Sequence, residues 1–292
     1  MRTKYLSIAA LAASAALALS ACSPSSSENG GGGEGGASET AGGGGDSVRI
    51  GIKFDQPGLG FREGSGEPTG FDVDVAKYVA GELGYSEDQI EWVQTPSANR
   101  ENALEGGEVD MIFATYSITD ERKQRVDFAG PYFVAGQDLL VRQEENGIKG
   151  PEDLDGKNLC SVTGSTSAQK IKDEYAQGVN LVEQGGYAEC TTYLESGQVD
   201  AVTTDDIILA GLAATQENSG KFKVVGNPFT EERYGVGLPK GSTDVCEDVN
   251  DAIEKMKEEG AWEEALASAT EGTGYEPDQE RNEDVEMESC DD

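Results

Sequence analysis

Two segments ninety residues apart carry one pattern, ALEGGEVDMIFAT from Ala103 and YLESGQVDAVTTD from Tyr193. Each reads as the end of a helix, a glycine stop at Gly107 or Gly197, and then an apolar strand. Eight residues past each glycine stand Thr115 and Asp205, where the strand should run out. In open α/β sheets ligands bind outside the carboxyl ends of the strands, so both residues are placed to face a crevice. A repeat with polar groups at one shared offset predicts two similarly built lobes.

The rest of the chain fits that plan. VRIGIKF and IEWVQT read as strands, and GFDVDVAKYVAGEL as a turn that becomes an amphipathic helix. DLLVR and YGVGLPKG are extended segments bracketing the middle of the chain, and DVNDAIEKMKEEGAWEEALA is a long helical pattern with a break at Gly260. The order is α/β throughout, with a middle segment inserted into the first.

The ends are different in kind. MRTKYLSIAALAASAALALSAC sets Arg2 and Lys4 before an apolar run too short to span a bilayer, closing on small residues. This reads as an export signal over 1–21. Its last four residues, LSAC, resemble the bacterial lipobox, which implies cleavage before Cys22 and lipidation of that cysteine as a membrane anchor. Residues 23–47 hold ten glycines among 25 residues, so 22–47 is expected to be a flexible tether reaching roughly 25 to 30 Å. The last 22 residues hold ten acidic groups against Arg281 alone, and 276–292 reads as a solvated tail.

Of the formal charge of −34, about −23 belongs to the body once leader, tether and tail are set aside. Nucleic acid is a poor partner for such a chain. The 292 residues contain no histidine. Four cysteines follow Cys22 and can oxidise once exported; of three possible connectivities, Cys160 with Cys190 and Cys246 with Cys290 each close within a contiguous stretch. Paired thiols and no histidine leave no catalytic Cys-His or Ser-His-Asp machinery and none of the usual zinc sites. No metal or cofactor is expected.

In TYSITDERKQRVDFAGPY, Thr119 is a good N-cap and Asp120 and Glu121 suit the positive end of a helix, yet Arg122 shares that first turn. Either Arg122 snorkels beside those acids, or the guanidinium and the helix N-terminus are aimed together at an anion.

GFDVDVAKYVAGEL, SITDER with VDFAGPY, DLDGKNLCSVTGSTS, GQVDAVTTD and YGVGLPKGS resemble, in order, the polar-amino-acid solute-binding proteins that feed ABC importers. The resemblance spans about 48–270. It implies a two-lobed, type II periplasmic-binding-protein-like α/β fold with two hinge strands: lobe 1 from 48–136 plus 232–275, lobe 2 from 137–231. It also implies that Ser117, Thr119 and Arg122 serve the ligand's α-carboxylate, a guanidinium fork suiting bidentate pairing. Asp205 would meet the α-ammonium, and Thr163, Gly164, Ser165 and Thr166 would form an anion-binding loop, although Val162 and Thr163 stand where many relatives carry a cation. An aromatic near the first strand would cover the ligand, with Phe54 and Phe61 as candidates. Lys53, at the end of VRIGIKF, stands where the family varies its side-chain reader.

Glutamate brings two carboxylates and one ammonium, and a desolvated site must answer each charge. Arg122, Asp205 and Lys53 supply that complement. The expectation is a monomeric receptor on the extracytoplasmic face of a bacterial membrane, capturing glutamate, or else aspartate or glutamine, for ABC permease subunits. Two rivals stand beside it: a cyclohexadienyl or arogenate dehydratase on the same scaffold, and an amino-acid sensor module.

Overall fold

The computed structural model describes residues 47–174, 178–283 and 285–290. The leader, Cys22 and the tether up to residue 46 lie outside the described residues.

Lobe 1 begins with β1 (Val48–Ile52), the short hairpin strands β2 (Asp55–Gln56) and β3 (Gly60–Phe61), and α1 (Phe71–Glu82). It continues through β4 (Ile90–Gln94), α2 (Arg100–Glu105), β5 (Met111–Ile112), α3 (Asp120–Lys123) and β6 (Asp127–Ala135). Lobe 2 runs through β7 (Gln137–Arg142), β8 (Asn158–Val162), α4 (Ser167–Glu174), β9 (Asn180–Gln184) and α5 (Tyr187–Glu195). It ends with β10 (Ala201–Asp205), α6 (Asp206–Ala214) and β11 (Phe222–Val224). The chain then returns to lobe 1 with β12 (Glu232–Leu238), α7 (Thr243–Glu258), α8 (Ala261–Thr270) and α9 (Gln279–Glu283).

The two sheets follow one plan. Their strand orders are β4-β1-β5-β12-β6 and β9-β8-β10-β7-β11. In each, three parallel strands are followed by two antiparallel pairings, β5 with β12 and β12 with β6, or β10 with β7 and β7 with β11. The repeated motif therefore falls on equivalent strands: β5 and β10 each complete the parallel trio. Gly107 and Gly197 both adopt left-handed φ values, 65° and 74°, after α2 and α5, as helix stops do.

Alternation fails in β6 and β7 because both faces are covered, and a strand buried on both faces reads as a continuous apolar run. The segment DLLVR is extended, as expected. It lies in β7, between β10 and β11, and the chain crosses between lobes at Gly136 and again at Glu231. Gly260, at φ 77°, separates α7 from α8. Phe71 packs its ring against Tyr132, Phe133 and Trp262 with centroids 5.6 to 6.0 Å apart, fixing α1 and α8 on the first sheet.

Both expected disulfides are present. Cys160 of β8 joins Cys190 of α5, and Cys246 of α7 joins Cys290, with Cα separations of 5.6 and 5.7 Å. The second changes the reading of the C-terminus. Residues 275–283 and 285–290 are not a solvated tail but a strap on lobe 1. Asn282 is buried, accepting from Val134 N–H at 2.8 Å and donating to Val134 C=O at 3.0 Å. The Glu288 carboxylate sits between Lys123 at 2.6 Å and Arg233 at 3.1 Å. Tyr275 reaches lobe 2, where its hydroxyl donates to Asp206 at 3.2 Å. Acidic composition predicts solvation only where no cations or free backbone groups wait to receive it.

Candidate functional site

Between the lobes lies a small, polar-lined cavity. Thr115, Ser117 and Arg122 line it from lobe 1, and Ser165, Thr166 and Asp205 from lobe 2. The strand ends of the twin motif, Thr115 and Asp205, thus converge on one space.

Arg122 is buried, not snorkelling beside Asp120 and Glu121. Thr119 caps α3, its hydroxyl accepting from the Arg122 N–H at 3.2 Å, which turns the side chain inward. The guanidinium donates to Ser117 C=O at 2.7 Å and, across the cleft, to Gly164 C=O at 3.3 Å; its Nε lies 3.3 Å from Glu101. It is fixed from three sides, with a face on the cavity.

Asp205 is the N-cap of α6 by position but makes no side-chain capping bond. Its carboxylate instead accepts from the Tyr234 hydroxyl of lobe 1 at 2.6 Å. Burial, and then the charge of Glu232, push its carboxyl well above the usual range. A cation arriving beside it would restore the ionised form.

Reading the sequence missed Arg100. It is the first residue of α2, and only 3% exposed. Its guanidinium donates to Ala114 C=O at 2.9 Å, stacks 4.3 Å from the Tyr116 ring and lines the cavity. Among the described residues its Nε–H is buried without a hydrogen-bond acceptor. Burial, with Arg122 next, lowers its pKa to about 10, so it remains a cation at neutral pH. Arg122 lies 5.0 Å from the same ring, so both guanidiniums are steadied by the Tyr116 π-face although they still repel each other. The signal that singled out Arg122, a cation in the first turn of a helix, was equally present in SANREN.

Lys53 stands one layer behind the wall. It is 2% exposed, with Nζ 3.3 Å from Ser97 Oγ, 3.7 Å from Asp55 and 5.4 Å from the centre of the Tyr187 ring. Burial lowers its pKa, and Asp55 works against that. Ser97 and Tyr187, unlike Lys53, do line the cavity.

Other expected roles change. Phe54 does not cover the cavity; its ring carries the Arg62 guanidinium at 4.5 Å, and Phe61 is exposed. The aromatic at the site is Tyr187, whose hydroxyl donates to Thr204 at 2.7 Å. Thr163 is exposed and does not line the cavity, because β8 has already ended and its N–H is held by Gln184 C=O at 2.9 Å. The Gly164 carbonyl accepts from Arg122. Thr119 acts on Arg122 and not on the cavity.

Thr115 is the one non-glycine residue with positive φ among the described residues, at 46°. Its N–H donates to buried Asp72 at 3.0 Å, and Tyr132 donates to the other oxygen of that carboxylate at 2.8 Å. Burial raises the Asp72 carboxyl to about 6, against hydrogen bonds that lower it. Strained backbone held by a buried acid beside a cleft marks a place where position matters. Among the described residues no cluster of histidine, cysteine and acidic side chains could hold a metal, and no helix is long and apolar enough to cross a membrane.

The arrangement has known counterparts. The glutamate-binding protein GluB of Corynebacterium efficiens is 47% identical over 230 residues, 75% of this chain and 77% of that one. The ABC transporter glutamine-binding protein GlnH of Bacillus subtilis is 39% identical over 221 residues, 75% of this chain and 79% of the other. Among solved structures, an ancestral arginine-binding protein bound to glutamine superposes with a TM-score of 0.70 at 35% identity, covering 76% of this chain and 96% of its own. The description of bacterial extracellular solute-binding proteins, family 3, matches residues 48–269, and the chain belongs to that family.

Proposed function

We propose that this chain is the substrate-binding component of an ABC amino-acid importer and that its ligand is glutamate, held between two closing lobes. The observation that carries the choice of ligand is the set of three buried cations, Arg100 and Arg122 lining one cavity and Lys53 just behind its wall, in a chain of net charge −34. Buried cations need anionic partners; Lys53 has Asp55 and Arg122 has Glu101, while among the described residues Arg100 has no carboxylate at ion-pair distance and its Nε–H has no acceptor. Arg122 and Ser117 would take the α-carboxylate, Asp205 the α-ammonium, and Arg100, with Lys53 behind it, the γ-carboxylate. Ser165 and Thr166 add hydroxyl donors from lobe 2. Glutamate binding by GluB, named for that ligand, supports the reading, and GlnH makes glutamine the natural competitor.

The relatives named for binding favour a receptor over a dehydratase. In the same reading Cys22 is lipidated after cleavage and the glycine-rich segment lets the body reach permease subunits from the extracytoplasmic face. An intact mass of membrane-extracted protein lacking a diacylglycerol adduct would remove that part alone.

Calorimetric titration of residues 47–292 with glutamate, aspartate, glutamine and arginine tests the central claim. Glutamate should bind tightest, and Arg122→Ala should abolish binding of all four, since each carries the α-carboxylate. A neutral or cationic amino acid binding more tightly than glutamate would overturn the assignment. Turnover of prephenate or arogenate would restore the enzyme reading.

A further inference from the structure

The β2–β3 hairpin of lobe 1, Asp55–Phe61, comes close against lobe 2, and two of the positions it meets there are glycines. Gly186 precedes α5 with φ −150° and ψ 167°, extended backbone that any residue adopts. A Cβ there would stand 2.7 Å from the Asp55 carboxylate. Gly211 lies inside α6, where alanine would be the better helix former, and its φ is not in the left-handed region. A Cβ there would run into the carbonyl oxygen of Pro57, far inside contact distance. Backbone conformation therefore explains neither glycine; the approach of the hairpin explains both.

The hairpin also supplies what lobe 2 lacks. Gly186 gives α5 no capping side chain. The Asp55 carboxylate, from the other lobe, accepts from the Tyr187 N–H at the first position of that helix, at 3.2 Å. Its second oxygen lies 3.7 Å from Lys53 Nζ. One acidic side chain thus caps a helix across the cleft and steadies a cation beside the cavity. An acid at a helix N-terminus is favourable through both the hydrogen bond and the macrodipole.

We infer that the hairpin is the catch that completes closure. Asp55 caps α5 when the lobes meet, and Gly186 and Gly211 are the socket that admits it. None of the three needs to touch the ligand, yet all three set affinity, because binding energy is shared with the closed state. The inference rests on the proposed capture of an amino acid by closing lobes.

The test measures glutamate and glutamine affinities, small-angle scattering with and without ligand, and ligand-free melting for four variants. Gly211→Ala should weaken both ligands alike by roughly tenfold or more, since backbone must yield to admit the methyl group. Gly186→Ala and Asp55→Ala should each weaken binding by roughly fivefold, the size of a lost cap. The two glycine variants should melt no lower than the parent without ligand. Gly81→Ala, in α1 with nothing within 4 Å of the added carbon, is the control and should bind as the parent does. Should Gly211→Ala fold poorly, Gly186→Ala and Asp55→Ala still decide. If the parent binds no amino acid, the proposed function falls and the catch with it. If the parent binds and closes while the variants match it, the catch alone is refuted.

Discussion

Replacing Arg100 with glutamine tests whether the site tells glutamate from its amide, as proposed. The guanidinium is held by Ala114 C=O and the Tyr116 ring, so its position before ligand arrives is already set. A carboxylate about 4 Å from that charge gains roughly 4 kcal/mol at an effective dielectric near 20. Lys53 and Arg122 survive the substitution, and their fields replace part of the loss. The differential cost to glutamate should be about 2 to 3 kcal/mol, which is roughly a 30- to 150-fold change in its affinity relative to glutamine. The ratio is the proper readout, because Arg100 also satisfies a backbone carbonyl, and loosening Thr115 would weaken both ligands together. Titrations with each ligand at pH 7.5, and at two salt concentrations, supply it. A ratio within about twofold of the parent's, with both affinities reduced, would reduce Arg100 to a structural residue and leave the γ-carboxylate without its main reader.

Asp205 predicts a proton. Its carboxyl is held above the ordinary range in the ligand-free site, whereas an adjacent ammonium favours the ionised form, so binding should release protons and affinity should fall as pH is lowered. Calorimetry in buffers of different ionisation enthalpy measures the release; Asp205→Asn should abolish it, and heats independent of buffer in the parent would contradict the assignment. Cys290→Ser should free the strap. The bridge closes a separation of 44 residues, which the chain-entropy model values at roughly 4 kcal/mol, and amide exchange at Val134 and Glu288 should quicken. Unchanged stability and unchanged exchange at both positions would show that the strap's hydrogen bonds hold without the bridge.

What could be read from the chain alone was whatever lies in local spacing. The twin motif located Thr115 and Asp205 because helix stop, strand length and strand end are all counted along the sequence. Arg122 stood out because a cation in a first turn is locally uneconomical. Arg100 offered the same anomaly, but burial made it significant, and burial depends on Tyr116 and Ala114 folding over it. Lys53 was placed at the right strand end, yet not behind Ser97, since that depends on a loop more than forty residues further on. The exchange of Phe54 for Tyr187 has the same origin: the covering ring comes from the opposite lobe. The strap was misread because composition is a local property, while Glu288 finds Lys123 and Arg233, and Asn282 finds Val134, from far along the chain.

That strap has a consequence for how copies of the chain behave together. β6 is the outermost strand of its sheet, nine residues long and almost wholly apolar. Such a strand, left bare, is a template on which a neighbour's backbone can continue the sheet. Here Asn282 occupies both backbone groups of Val134, Asn250 takes the Gly130 N–H at 2.6 Å, and the Glu288 N–H takes the Gly130 carbonyl. The strap also carries exposed acids, Glu280, Glu283 and Glu286, which put like charge on this side of every copy. The strap lies beyond residue 269, where the family match ends, so this guard against strand-to-strand assembly belongs to the part of the chain outside the matched scaffold.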